Sequence, residues 1–369
     1  MTENRKILLF CLFLTFTLSA QAQVRIIDAT TNEPIPFVHI FTKDGILGAV
    51  SDLKGMITET DMIRLTDNKC AELTIQHIAY NSKQIMASEL VRGGEIFLSA
   101  RTMNLDEVIV TPQTHSLGYI GLKGFFRSYV LLNYEPKYYV DGIVTYYISE
   151  KQAKTKMSLQ QYRVLRNEKL VAEEKKSFFI QINDRPGLPE FTSKTLFGNL
   201  GNTYHMQPSE SGYIIIHKDS AVGYVSCLPH TKRIMIHVDR MAPDSLKSFS
   251  LGRFKIQKRK WFSSAQYRSF DECNAGAEDL ESLKEFYTTL YSFDKNKSSF
   301  EIQCLQELYI FDRSYLSESD MKTIKTTTKK QIPLGHQFKE EYWNNLKKYS
   351  IPDIDPNFGR RIGDSLIMY

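Results

Sequence analysis

The sequence predicts a mainly β, α+β protein in two parts: a small β-sandwich followed by a larger β-rich α+β domain. Three observations carry that reading. Residues 23 to 98 hold several short alternating segments separated by Pro and Gly turns. Tyr and Phe number 20 and 22, against two Trp, and rings cover a pleated, half-buried surface well. The run Tyr138, Val140, Val144, Tyr146, Ile148 keeps period two over a length that only a long strand satisfies.

The chain opens on Arg5 and Lys6, a nearly continuous apolar run from Ile7 to Leu18, and Ala20-Gln21-Ala22. A basic start, a short apolar stretch and an A-x-A site together read as a secretory signal over residues 1–22. A spanning helix needs about 20 apolar residues, more than this run supplies. Cys11 lacks the small residues of a lipid-attachment site before it, so no lipoprotein is expected. No later segment is apolar enough to span, so no transmembrane span is expected after cleavage.

Removing 22 residues from 369 leaves 347, more than one small sandwich uses. Net charge is +5, and losing Glu3, Arg5 and Lys6 subtracts one, leaving +4. That is too weak a field for a nucleic-acid partner. Cys70, Cys227, Cys273 and Cys304 remain. Export permits disulfides, and four Cys allow three connectivities, a Cys273–Cys304 bridge among them. The expected state is nevertheless four small, buried, unbridged side chains.

In the first domain, residues 23–111, Val24–Asp28 reads as a strand and Thr30–Pro34 as a turn cluster. Phe37–Phe41 is a second strand, turned back at Lys43-Asp44-Gly45. Gly48–Asp52 leads to a tight turn at Leu53-Lys54-Gly55. Glu72–Ile75 alternates as a half-buried strand, continued by His77–Tyr80, and Gly94–Leu98 closes the set.

These residues carry a resemblance. Asp28, Thr31, Pro34, Ile35, Pro36 and Val38, then Gly48, Ser51-Asp52-Leu53-Lys54-Gly55 and Gln76-His77-Ile78-Ala79-Tyr80, resemble the carboxypeptidase regulatory-like domain, a transthyretin-like seven-stranded sandwich. Ser51 stands where that family has Thr, and Ala79 where it usually has Gly. Leu105–Thr111 is similar to the strand that often follows such a domain in envelope proteins. The resemblance implies a non-catalytic module. A peptidase zinc site of the matching kind needs His-x-x-Glu, and no His here is followed by Glu three residues later. HExxH is absent as well. Large outer-membrane receptors open with the same elements, but the 258 residues after Thr111 (369 minus 111) are too few for their barrel and plug. A smaller barrel is set aside because the lipid-facing alternation of about ten residues is missing.

Residues 112–119 read as a linker, and 120–369 as a β-rich α+β domain of unknown function, with a half-barrel as one possible form. Gly124–Tyr129 and Tyr139-Val140-Asp141-Gly142 resemble the uncharacterised region that follows the sandwich in exported proteins, as do Glu307–Tyr309 and Trp343. Strands are expected at Gly212–His217, at Val222–Cys227 and Arg233–Val238 as a hairpin, at Ser250–Ile256 and at Phe300–Cys304. Helices are expected through Leu280, Leu283, Tyr287, Leu290 and Tyr291, after the capping box Ser317–Asp320 as far as Thr327, and through Phe338, Tyr342, Leu346 and Tyr349, ending at Ile351-Pro352.

Candidate chemistry is sparse. Cys227 and His230 with Ser226 suggest a dyad, but they sit at a hairpin turn where His is ordinarily just exposed. Asp271, Glu272, Glu278, Asp279 and Glu281 lack calcium-loop spacing and read better as a helix start. Lys322–Lys330 reads as a solvated helix face rather than a lipid contact. Asp184–Gly187 is turn chemistry. No catalytic, cofactor-binding or metal residue is assigned, and no cofactor is expected. The functional expectation is an exported, non-catalytic binding or structural protein of the Gram-negative cell envelope, periplasmic or outer-membrane associated. Its partner would be an unidentified envelope protein, lipid or glycan. The rivals are a lipid- or glycan-handling carrier with an apolar cavity, and an unrecognised hydrolase.

Overall fold

The computed structural model describes residues 23–43, 47–67, 72–101, 118–149, 155–174, 186–189, 203–209, 212–228, 233–239, 248–251, 254–268, 275–293, 298–328, 332–333, 335–354 and 356–369. The chain divides into two compact units, 1–101 and 102–369. The expected signal at 1–22, the segment Leu105–Thr111, Gly45, His230, Asp271 and Glu272 lie outside the described residues.

The first unit holds β1 (Val24–Asp28), β2 (His39–Thr42), β3 (Leu47–Val50), α1 (Glu59–Asp67), β4 (Glu72–Gln76), β5 (Lys83–Met86), α2 (Ala87–Arg92) and β6 (Gly94–Leu98). β3-β2-β4-β5 form an antiparallel sheet, and β1 pairs with β6 in parallel. Ile26, Ile40, Leu65, Leu73, Ile75 and Leu90 are fully buried between these elements. The described residues thus give six strands, where a seven-stranded sandwich was expected, together with two short helices and the edge strand β5 that patterning did not reveal. α1 and α2 are too short to show a stable period of their own, and a parallel pair needs a long crossover that can carry helices.

Polar side chains shape the turns of this unit. Asp28 Oδ1 accepts from Thr30 N and Thr31 N, at 2.6 and 3.0 Å. Ser51 Oγ accepts from Val38 N at 2.8 Å and donates to Ile35 O at 3.2 Å, so the hydroxyl shared by Ser and Thr is what the position needs. Asp52 Oδ1 accepts from Lys54 N and Met56 N, both at 2.8 Å. Gly55 closes the turn with φ +71°, and a Cβ there would lie 2.5 Å from Ile26 O.

The second unit is one large antiparallel sheet. Its strands are β7 (Tyr119–Leu132), β8 (Glu135–Ser149), β9 (Lys156–Arg166), β10 (Tyr204–Ser209), β11 (Gly212–His217), β12 (Ser220–Leu228), β13 (Arg233–Asp239), β14 (Ser248–Leu251), β15 (Phe254–Arg268), β16 (Leu280–Phe293), β17 (Ser298–Leu316) and β18 (Ile367–Met368). The order is β10-β11-β12-β13-β15-β16-β17-β7-β8-β9-β18, with β14 beside β15. Among the described residues no pairing joins β10 to β18, so the sheet is open. Helices α3 (Glu168–Glu174), α4 (Glu318–Thr323) and α5 (Pro356–Ser365) lie outside it. No helix among the described residues is long and apolar enough to cross a membrane.

Tight turns join neighbours. Asn133 and Tyr134 both have positive φ between β7 and β8, as do Lys218 and Asp219 between β11 and β12. Two successive left-handed residues give the turn whose twist matches paired strands. The expected face of β8 is confirmed: Tyr138, Val140, Val144, Tyr146 and Ile148 all enter the main core, with Leu308, Leu280, Ile236 and Val225.

Two helical expectations are corrected. Leu280–Phe293 is strand β16. Steps of four from Leu283 to Tyr287 and Tyr291 are even, so they hold one face in a strand as well as in a helix. Leu280 joins that face because a bulge shifts the register, pairing Tyr267 with Leu280 but Gln266 with Ser282. The second correction is at the C-terminal side. Tyr342–Tyr349 is a 3-10 helix interrupted at Asn345, with Phe338 before it. Its face is as expected, since Phe338, Tyr342, Leu346 and Tyr349 share one cluster. The box at Ser317 forms as expected, Asp320 N donating to Ser317 Oγ, but α4 stops at Thr323 because Thr327 pairs with Met157.

Gly55→Ala combines an unfavourable φ with a clash against backbone, and we expect a loss of about 1–3 kcal/mol. Urea denaturation monitored by circular dichroism measures it, and an unchanged midpoint would contradict the assignment.

Candidate functional site

Five charged residues stand directly opposite one another on five adjacent strands. Lys284 on β16 faces Glu307 on β17, Glu307 faces Arg127 on β7, Arg127 faces Asp141 on β8, and Asp141 faces Arg163 on β9. Directly opposed residues share a face of the sheet. The signs alternate along the rank, with three cations to two carboxylates. The row runs on through Ser264 on β15, His237 on β13 and Tyr224 on β12. The opposite face carries the apolar rank Phe126, Leu308, Leu283, Ala265, Ile236 and Val225.

The charges are buried. Asp141 is wholly inaccessible, and Arg127, Glu307 and Lys284 are each less than a tenth exposed. An isolated ion there is very costly, so every group needs partners. Asp141 has four donating groups around it. Tyr139 OH donates to Oδ2 at 2.7 Å and Tyr342 OH to Oδ1 at 2.8 Å. Arg163 donates through Nε to Oδ1 at 2.9 Å and through Nη2 to Oδ2 at 2.8 Å. Arg127 Nε donates to Glu307 Oε2, and its Nη1 donates to Pro352 O at 2.9 Å. Lys284 Nζ lies 3.4 Å from Glu307 Oε1.

Aromatic side chains seal this half of the rank. Arg163 stacks on Trp343, with 4.2 Å from guanidinium carbon to ring centre. Phe125, Tyr309, Tyr342 and Ile351 bury one flank. On the other flank Tyr129 meets Tyr139 at 4.8 Å and Phe358 of α5 at 5.0 Å. Residues 335–354 and Phe358 therefore close over the charges, supplying a hydroxyl, a carbonyl and several rings.

Protonation follows this packing. Burial opposes charge on Glu307, but Arg127 and then Lys284 overcome it and hold the carboxyl at about 2. Burial likewise opposes charge on Arg127, but Glu307 together with Tyr309, Tyr129 and Tyr139 outweighs it, so the guanidinium stays above its ordinary value. Burial first, and Asp141 second, push the Tyr139 and Tyr342 hydroxyls well above the ordinary tyrosine value. They are neutral donors at any physiological pH. Burial pushes the Cys304 thiol up to about 12, which leaves no thiolate for nucleophilic work.

One serine–histidine pair sits in the row. His237 Nδ1 lies 2.5 Å from Ser264 Oγ. Both are almost inaccessible, and Tyr224 and Phe262 stack against the imidazole at 6.0 and 6.1 Å. A nucleophile needs a substrate within reach, and this pair lies mid-strand beneath rings.

The residues singled out by spacing do not assemble here. Cys227 is disulfide-bonded, which removes it as a thiol nucleophile and corrects the expectation of four unbridged cysteines. Its partner lies outside the described residues. Cys304 is free and buried, so a Cys273–Cys304 bridge is not formed. Glu278 and Asp279 belong to a 3-10 turn, Ala277–Asp279, rather than to the start of an α-helix. Glu281 is buried and pairs with Arg233 at 2.8 Å and Gln266 at 2.9 Å. Gly187 O accepts from Gln306 Nε2 at 3.1 Å. Among the described residues no group of three His, Cys, Asp or Glu side chains is placed to hold a metal. The ladder itself was not read from the sequence. Isolated charges inside the aromatic strands, Arg127 in Phe125–Tyr129 and Asp141 in Tyr138–Tyr147, were its only trace.

Two outcomes test the arrangement. Asp141→Ala leaves the half-buried Arg163 without its partner and should cost about 3 kcal/mol, while Asp141→Leu with Arg163→Met should recover most of that loss. Equal losses in the single and double variants would deny the pairing. Glu307 has a folded-state value below the ordinary 4.5, so its contribution is full above pH 4.5 and falls away toward about pH 2. The difference is worth about 3 kcal/mol. Urea midpoints should therefore drop between pH 5 and pH 2, and Glu307→Gln should flatten that drop.

No family model matches the chain, and no curated protein matches it. Solved structures do match. One, described as lipid-protein interactions in lipovitellin, is 8% identical with a TM-score of 0.22, over 61% of this chain and 28% of that one. This chain thus spans little more than a quarter of that protein's length, and a likeness at this score carries no argument about fold or ligand.

Proposed function

We propose that the protein is an exported, non-catalytic binding or structural component of the Gram-negative cell envelope, with the N-terminal β-unit as an interaction module. The observation that carries this reading is the disulfide at Cys227, because such bonds persist in oxidising compartments and are rare in the cytosol. The start of the sequence agrees: Arg5-Lys6, the apolar run Ile7–Leu18 and Ala20-Gln21-Ala22. The character of the buried charges supports the non-catalytic part. Asp141, Arg163, Arg127 and Glu307 satisfy one another beneath rings, and the tyrosines beside them keep their protons. Such a network rigidifies a sheet and fixes its pairing rather than presenting reactive atoms.

Expression of the full chain in a Gram-negative host tests the proposal. The chain should appear in the periplasmic or outer-membrane fraction, beginning at Gln23 by mass spectrometry. Cys227 should resist alkylation until the protein is reduced. A cytosolic product retaining residues 1–22, or Cys227 alkylated in the native protein, would overturn the assignment of compartment. Labelling of Ser264 by a fluorophosphonate probe would overturn the non-catalytic assignment.

A further inference from the structure

The hairpin β14–β15 has a composition unlike the rest of the sheet. From Lys247 to Arg268 the chain carries seven Lys and Arg and no Asp or Glu. Phe249 on β14 is 58% exposed, as solvated as any large apolar residue described. It stands opposite Ile256, which faces Tyr291, which faces Phe300, so it extends an apolar rank past the edge of the core. Tyr291 and Phe300 stack behind it with centroids 5.0 Å apart.

Cations line the strand beside this ring. Lys255 and Arg259 are exposed, and Lys258 and Lys260 are half-buried. The register shifts between Lys258 and Lys260, and the bulge there distributes the charges to both sides of the strand. Arg259 lies 3.9 Å from Glu301, a distance at which the carboxylate offsets little of its charge. Tyr134, 39% exposed, marks the same end of the sheet, since Asn133 beside it exchanges hydrogen bonds with Glu301. An exposed Phe and Tyr within a belt of Lys and Arg is the combination that seats proteins at an anionic lipid surface. The rings enter the headgroup region, and the cations meet phosphate.

We propose that the β14–β15 end of the sheet docks on an anionic phospholipid surface. A nucleic acid fits the same charge less well. Single strands are held by successive stacking rings, and the ring nearest the cations is already occupied. Trp261 donates its indole N–H to Glu285 Oε1 at 2.5 Å and has Lys258 Nζ 3.9 Å above its ring. Phe249 remains as a single wedge, suited to lipid. The proposal goes beyond export, and vesicle binding by purified protein succeeds or fails whatever the compartment proves to be.

Co-sedimentation of the full chain with vesicles tests it, comparing phosphatidylglycerol mixed one to two with phosphatidylcholine against phosphatidylcholine alone. The chain should bind only the anionic vesicles and should leave them as salt is raised. Lys255→Gln with Arg259→Gln and Lys260→Gln should weaken binding on the order of 100-fold. Phe249→Ser should weaken it roughly 10-fold. Circular dichroism melts identify any variant that has lost its fold, and the salt titration of the unaltered chain decides the matter without them. No binding to anionic vesicles, binding insensitive to salt, or folded variants that bind like the parent would overturn the proposal. So would an oligonucleotide of deoxythymidine that binds more tightly than the vesicles and responds to the same substitutions.

Discussion

The second unit depends on a single constraint: charges placed inside a sheet must meet opposite charges on the neighbouring strand. Lys284, Glu307, Arg127, Asp141 and Arg163 meet that constraint across β16, β17, β7, β8 and β9. A slip of one residue in any of these pairings would turn a charged side chain into the apolar core on the other face. The ladder therefore sets register over five long strands, where aromatic packing alone would tolerate several alignments. Whether it also adds net stability is a separate matter, since apolar replacements of such pairs are often neutral.

The ladder explains the segment that follows β17. Residues 335–354 hold only the 3-10 helix Tyr342–Tyr349 as regular structure, yet their contacts are specific. Tyr342 brings a hydroxyl to Asp141, Pro352 a carbonyl to Arg127, and Trp343 a ring to Arg163. Gly142, next to Asp141, leaves room for the closely packed Phe126 ring and the β9 backbone; a Cβ there would fall 2.2 Å from Gln161 O. Apolar clustering holds the segment down, and its polar atoms complete the ion pairs. Each half of this arrangement needs the other.

The first unit solves a similar problem on a smaller scale. Asp28, Ser51 and Asp52 spend their side-chain oxygens on backbone N–H groups of turns, which small sheets otherwise leave unpaired. Ser51 Oγ takes Val38 N, and Ala79 does not adopt a positive φ, so a side chain is tolerated there.

The sequence by itself determined what local physics dictates. Period two placed Tyr138, Val140, Val144, Tyr146 and Ile148 on the buried face of β8. Short polar side chains beside glycine marked the turn at Ser51–Gly55, and the box at Ser317 began α4. Tertiary structure decided the rest. Leu283, Tyr287 and Tyr291 fit both periods, and pairing with β15 and β17 made them a strand. Glu307 lies 180 residues from Arg127, and Tyr342 lies 201 from Asp141, so no window along the chain contains either pair. Cys227 likewise carried no local sign of its bridge. Contacts of that separation exist only once the strands are aligned, because alignment alone sets which side chains face each other.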